Sequence, residues 1–155
     1  MIFLGIDPGT TKIGYGIVEY QNNAFSCLAY GIIGKPGTDR QDSFLDTATR
    51  IRELITQFRP VAAGIERLFF EKNQKTAMAV SEMRGVILAT LAQCGIPVHE
   101  LTPLEVKKSI SGYGRAEKRQ VQLMVQRILG YAEPIRPDDA ADALAIAISC
   151  ASAPR

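Results

Sequence analysis

The spacing of apolar positions changes several times along the chain, and each change marks a predicted element. Ile2-Phe3-Leu4-Gly5-Ile6 is a continuous apolar run and predicts a buried strand. Lys12 to Tyr20 alternates loosely, with Ile13, Tyr15 and Ile17 on one face, and predicts a second strand. Gln21-Asn22-Asn23 is a turn signal, and Phe25 to Ile33 reads as a third strand. Connections this short make the three an antiparallel meander. The period then becomes helical. Thr38 and Gln41 form a capping-box pattern, and Phe44, Ala48, Ile51, Ile55 and Phe58 follow at helical spacing until Arg59-Pro60.

Residues 61–65 predict a fourth strand, reached by a helical crossover and therefore parallel to a neighbour. Helical spacing returns at Val80, Met83, Ile87, Leu88 and Leu91, and Gly95-Ile96-Pro97 ends it. Residues 96–101 read as a short fifth strand. Val121, Met124, Val125, Ile128 and Leu129 give an amphipathic helix. Pro134 and Pro137 flank a loop, and Ala140 to Cys150 is an alanine-rich apolar helix. The predicted class is α/β: a mixed five-stranded sheet, its first three strands antiparallel, with helices on both faces.

Acids stand where the apolar elements begin or end. Asp7 closes the first run, Glu66 closes Val61-Ala62-Ala63-Gly64-Ile65, and Asp139 and Asp142 open the last helical pattern. Asp139 and Asp142 are three apart and share one helix face. A carboxylate against apolar surface is costly unless positive charge compensates it. None of these acids has a matching Lys or Arg in its own segment, so a divalent cation is the expected source. Oxygen-only ligands point to Mg²⁺ or Mn²⁺. If the helix docks beside the sheet, the four acids can hold two ions about 3.5–4 Å apart for in-line displacement at a phosphodiester. Alternatively the acids are helix caps and solvated strand ends, a reading that suits Asp138 and Asp139 better than Asp142 or Glu66.

With 155 residues, 46% of them apolar, the chain is expected to form one domain over 1–155. A net charge of +2 gives no general signal for nucleic acid. The charge is uneven, however. Lys107, Lys108, Arg115, Lys118 and Arg119 stand against the single acid Glu117, with Gly112 and Gly114 among them. Such a patch can meet a phosphate backbone, or it can be a solvated loop and helix start. Phe69 and Phe70 follow Glu66 beside Lys72, Asn73 and Lys75. One of the two rings is expected to be exposed, where it could stack on an unpaired base. Three isolated cysteines and one histidine offer neither a zinc site nor a His-based triad. No stretch approaches the roughly 20 apolar residues of a membrane span. The expectation is a soluble cytoplasmic protein without membrane contact.

Four segments in this order also carry a resemblance. They are Gly5-Ile6-Asp7-Pro8-Gly9; Ile65-Glu66 with Phe69 and Lys72-Asn73; Gly112-Tyr113-Gly114 with Glu117-Lys118 and Gln120-Val121-Gln122; and Asp139-Ala140-Ala141-Asp142-Ala143-Leu144-Ala145. Together they resemble the RuvC-type Holliday junction resolvases, within the RNase H-like nucleases. The resemblance implies an RNase H-like fold, Mg²⁺ dependence with two ions per site and Mn²⁺ as a substitute, and paired nicks in four-way junction DNA. It also implies a homodimer and a RuvAB-type branch-migration complex as partner. Acidic roles fall on Asp7, Glu66, Asp139 and Asp142, and lysine roles on Lys107 and Lys118. DNA contacts are expected from Phe69, Lys72, Asn73, Lys108, Arg115 and Arg119.

Three other readings remain at this level. Gly5 to Thr11 resembles the first phosphate loop of the actin and sugar-kinase ATPases, although no second such loop follows. An RNase H-like nuclease acting on RNA would share the same site. A junction-binding module could keep the acids without catalysis. For the dimer, the helix over 76–91 offers small residues for close approach, Ala77, Ala79, Ser81, Gly85 and Ala89, with Val80, Met83 and Ile87 as apolar area.

Overall fold

The chain was analysed as a computed structural model that describes residues 1–35, 37–67 and 74–153. The elements run β1 (Ile2–Asp7), β2 (Ile13–Gln21), β3 (Ala24–Ile33), α1 (Arg40–Phe58), β4 (Ala62–Glu66), α2 (Gln74–Gln93), β5 (Val98–Leu101), α3 (Pro103–Ser111), α4 (Lys118–Ile128) and α5 (Asp138–Ser152). The strands form one sheet in the order β3-β2-β1-β4-β5. The β1–β2 and β2–β3 pairs are antiparallel, and the β1–β4 and β4–β5 pairs are parallel. This is the mixed sheet the sequence predicts. Asn22 and Asn23 turn the β2–β3 hairpin with φ of 53° and 60°, a left-handed conformation that asparagine tolerates better than most residues.

Two helix starts differ from expectation. The cap of α1 is Asp39, whose carboxylate accepts from the Gln41 amide at 3.0 Å. Thr38 instead donates its hydroxyl to the Lys35 carbonyl, so the Thr38–Gln41 capping box does not form. A carboxylate at the mouth of the helix satisfies a free amide and also faces the positive end of the dipole. The sequence reading also missed α3. Its own capping box is complete: the Glu105 amide donates to Thr102 Oγ1, and the Thr102 amide donates to the Glu105 carboxylate, with Pro103 in the first turn.

Helices cover both faces of the sheet. Leu4, Ile6, Ile13, Ile17, Ala63 and Ile65 meet Ile51 and Leu54 of α1 and Met83, Ile87 and Leu91 of α2. On the other face Phe3, Val18 and Ala62 meet α5, with α3 and α4 packed beside it.

The approach of α5 depends on a row of glycines. Gly16 pairs with Gly5, and Gly5 with Gly64, so three adjacent strands lack side chains at one level. A Cβ on Gly5 would lie 2.0 Å from the Ala143 carbonyl oxygen. One on Gly16 would lie 2.8 Å from Leu144 Cδ2, and one on Gly64 2.9 Å from Cys150 Cβ. The helix answers with Ala140, Ala141, Ala143, Ala145 and Ala147, all buried. Backbone therefore lies nearly on backbone, as glycine in a strand permits.

Candidate active site

Strand alternation carries this seam into the site. Phe3, Gly5 and Asp7 point to the α5 side of β1, and Ala62, Gly64 and Glu66 to the same side of β4. The acids are thus one pleat beyond the glycine row. Asp7 pairs in register with Gly14, where a Cβ would stand 2.0 Å from the carbonyl oxygen of Asp139. The missing side chain at Gly14 lets the first turn of α5 settle against the sheet. Carboxylate oxygens of Asp7, Asp139 and Asp142 consequently lie within 4.8 Å of one another. Glu66 stands at the adjoining strand end, outside that set of three. It lines a recess of about 240 Å³ together with Asp142, Lys107 and Lys118.

The charges disturb one another. Asp7 is pushed up to about 7, first by burial and then by the negative charges of Asp142, Glu66 and Asp139. Glu66 is also raised, by burial and then by Asp142, against opposing pulls from Lys118 and Lys107. Lys118 donates to Asp142 at 2.7 Å, and this bond holds the lysine above its ordinary range. Asp142 nevertheless remains raised, because burial outweighs the bond and the charge of Lys118. A cationic partner does reach the acids, though from outside their own segments. Lys118 reaches Asp142 from a separate helix, 24 residues away in sequence. Lys118 and Lys107 against four acids still leave the cluster with an excess of negative charge.

The two acids before the alanines make different contacts. Asp138 is ion-paired with Arg136, whereas Asp139 joins Asp7 and Asp142. Of the adjacent lysines, Lys107 faces the recess and Lys108 is exposed outside it.

A family model described as crossover junction endodeoxyribonuclease RuvC matches residues 3–150. The crossover junction endodeoxyribonuclease RuvC of Heliobacterium modesticaldum is 49% identical over 152 residues, covering 97% of this chain and 94% of that relative. The chain belongs to the RuvC family. Its fold matches a solved Thermus thermophilus RuvC structure with a TM-score of 0.90 at 34% identity, covering 97% of this chain and 93% of that one. A second Thermus thermophilus RuvC structure, in complex with a Holliday junction substrate, matches with a TM-score of 0.88 at 32% identity, over the same shares of each chain. The fold is RNase H-like, as expected, and the chain is a DNA endonuclease of the RuvC family.

Other expected RuvC-type positions fall as follows. Arg115 is exposed in the turn between α3 and α4, and Arg119 is exposed on α4, beside a separate recess. Phe69, Lys72 and Asn73 lie outside the described residues. The sequence reading passed over Arg84 on α2. Its Nε donates to the Glu66 carbonyl at 3.4 Å, and its guanidinium pairs with Glu100 on β5. The signal was present: a half-buried arginine interrupts the apolar rhythm between Met83 and Ile87.

Proposed function

We propose that this single-domain chain, residues 1–155, resolves four-way DNA junctions by paired symmetric nicks and that it requires Mg²⁺. The carboxylate set of Asp7, Asp139 and Asp142, with Glu66 beside it, is the observation that carries the reading. All of its donors are oxygens, and burial and mutual repulsion raise Asp7, Glu66 and Asp142. The site therefore fits a pair of hard divalent cations, with Mn²⁺ as a substitute. When bound, such ions supply positive charge at the phosphodiester and lower the pKa of a water. Asp7, at the end of β1 and facing the first turn of α5, would be the central metal-holding carboxylate, with Glu66 on one side and Asp139 and Asp142 on the other. Lys118 and Lys107 are placed to stabilise charge that develops on the phosphate. Lys118 holds the Asp142 carboxylate from the α4 side, where it also lines the recess with Glu66 and Lys107.

The Thermus thermophilus RuvC complex with a Holliday junction supports the choice of substrate. Two symmetric cuts need two sites, and a two-fold homodimer supplies them. On α2, Ser81, Gly85 and Ala89 form an exposed small-residue stripe near Met78, which is 65% exposed. A Cβ on Gly85 would meet nothing within 4 Å. Met83 and Ile87, by contrast, are buried in the chain's own core and are unavailable to a partner. Among the described residues no helix is long and apolar enough to cross a membrane. We place the protein in the cytoplasm, handing over from a RuvAB-type branch-migration complex.

The test is to incubate the protein with four-way DNA, linear duplex and an RNA hairpin, each with Mg²⁺ and with EDTA. Paired nicks only in four-way DNA with Mg²⁺ are expected. Full-rate cleavage in EDTA would remove the mechanism, and preference for the hairpin would remove the substrate.

A further inference from the structure

A second recess, of about 470 Å³, lies across α4 and the first turn of α5 from the acids. The same two helices build both recesses. Lys118, Val121 and Asp142 face the catalytic side, and Arg119, Gln122, Asp138 and Ala141 face the other. Arg136 reaches in from the loop before α5. That loop is held to α4 by Gln126, whose Nε2 donates to the carbonyls of Tyr131 and Ala132 at 3.1 and 2.9 Å.

The recess is rich in donors. Arg119 forms no ion pair among the described residues, and Gln122 Nε2 is buried with no acceptor. A buried donor without a partner is uncommon and calls for an explanation. One acid is present, Asp138, and it is already paired with Arg136. Two guanidiniums lining one recess, only one of them paired with a carboxylate, make a seat for an anion. Their planar forks suit the oxygens of a phosphate.

We infer that this recess binds a backbone phosphodiester flanking the one that is cut. The inference rests on the proposed function. A strand lying at Lys118 must continue past one side of α4, and on this side Arg119 and Arg136 line one recess. Arg119 and Arg136 clamp the phosphate, and Asp138 holds Arg136 in place until the phosphate displaces it. The recess is a binding site; it contributes no step to the chemistry.

The inference gives opposite signs for the two halves of one ion pair. The experiment measures binding to four-way DNA and to linear duplex across a salt series, with Asp7→Asn as the parent so that nothing is cut. Arg119→Gln and Arg136→Gln should each weaken binding and make the slope of log K against log salt shallower by about 0.9. Asp138→Asn should tighten binding by roughly two- to fivefold, because a competing anion is gone. Arg127→Ala, on the outer side of α4, should leave the slope unchanged. Slopes unaltered on both substrates by Arg119→Gln and Arg136→Gln would overturn the inference. Weakening by Asp138→Asn to match Arg136→Gln would also overturn it, since the pair would then only be bracing α5. Loss of preference for four-way DNA over duplex, with the slopes responding as expected, would strike the proposed substrate and leave the recess standing.

Discussion

One face of the sheet presents glycine to a helix, and the other presents leucine and isoleucine. Towards α1 and α2 the contacts are long side chains interlocked in a core that can repack around a change in volume. Towards α5 a row of glycines, Gly5, Gly14, Gly16 and Gly64, brings the helix backbone and its alanines close to the sheet, with Leu144, Ile146 and Cys150 beside them. Where helix backbone lies this close to strand backbone, fewer side chains are available to absorb an error. The carboxylates stand at the end of this rigid seam, so the face that tolerates least is the one that fixes their positions. Both faces bury apolar residues, and the second also fixes the geometry of the acids.

That division can be broken most sharply with Asp7→Asn. Cleavage should vanish while junction binding survives or tightens, since negative charge facing the phosphates is lost along with the metal ligand. Asp139→Asn should likewise abolish cleavage and Asp138→Asn should not, as read by nicking of labelled junctions. The counterpart on the opposite face is Leu54→Ala. It should cost about 2–5 kcal/mol of stability by denaturant unfolding and leave the rate per folded molecule unchanged. A large loss of rate in that variant would merge the two faces into one functional unit.

Lys118→Ala comes next. Removing a donor aimed at developing charge should slow single-turnover cleavage by roughly 100- to 1000-fold. Arg127→Ala, on the same helix, should have little effect, and equal small losses at both positions would mean that Lys118 is ordinary surface. Gly14→Ala tests the seam itself. The new methyl must move the Asp139 backbone, and a displacement near 1 Å can cost about 100-fold in rate. The expected stability loss is only about 1–3 kcal/mol, so rate should suffer out of proportion to folding.

Charge gives a gentler probe. Folded Asp7 titrates near 7, whereas an unfolded aspartate titrates near about 3.9, so the folded chain holds its proton more tightly. Its contribution to stability is complete below about pH 4 and is lost as the pH rises through about 7. Glu66 and Asp142 are raised as well and act with the same sign. In EDTA the unfolding midpoint should therefore fall across that window. Mg²⁺ should remove the fall, and Asp7→Asn should flatten it. A cation-free chain equally stable from pH 4 to 8 would contradict this. The smallest effect is expected from Arg84→Gln, which loosens the Glu66 backbone without touching a carboxylate in the cluster. The Mg²⁺ concentration for half-maximal cleavage should rise a few-fold, with junction affinity unchanged.

Much of the sheet was legible because strand runs and turn signals are local. Ile2 to Ile6, the Asn22-Asn23 turn and the break at Gly95 each declare themselves within a few residues. The four acids were legible for a similar reason, as polar residues at the ends of apolar runs. The α3 helix was not read. Its apolar positions, Val106 and Ile110, are few, and Lys107 and Lys108 drew attention to charge, although Thr102-Pro103 and Glu105 spell a helix start. The partner of Asp142 could not be read, because Lys118 meets it only through the packing of α4 on α5. The glycine row was hidden for the same reason. Gly5, Gly16 and Gly64 are unremarkable in their own strands and acquire meaning only when register lines them up.

The seam with α5 also sets an order of events during synthesis. Asp7 and Glu66 leave the ribosome early, whereas Asp139 and Asp142 arrive only with residues 138–152. A nascent chain that has not reached them displays a glycine-lined, partly apolar sheet face and holds half of its acids. It is sticky and, on the chemistry proposed, harmless to DNA. Arrival of α5 covers that face and completes the acid set in one docking event, so on the proposed chemistry cutting ability follows the docking of this helix.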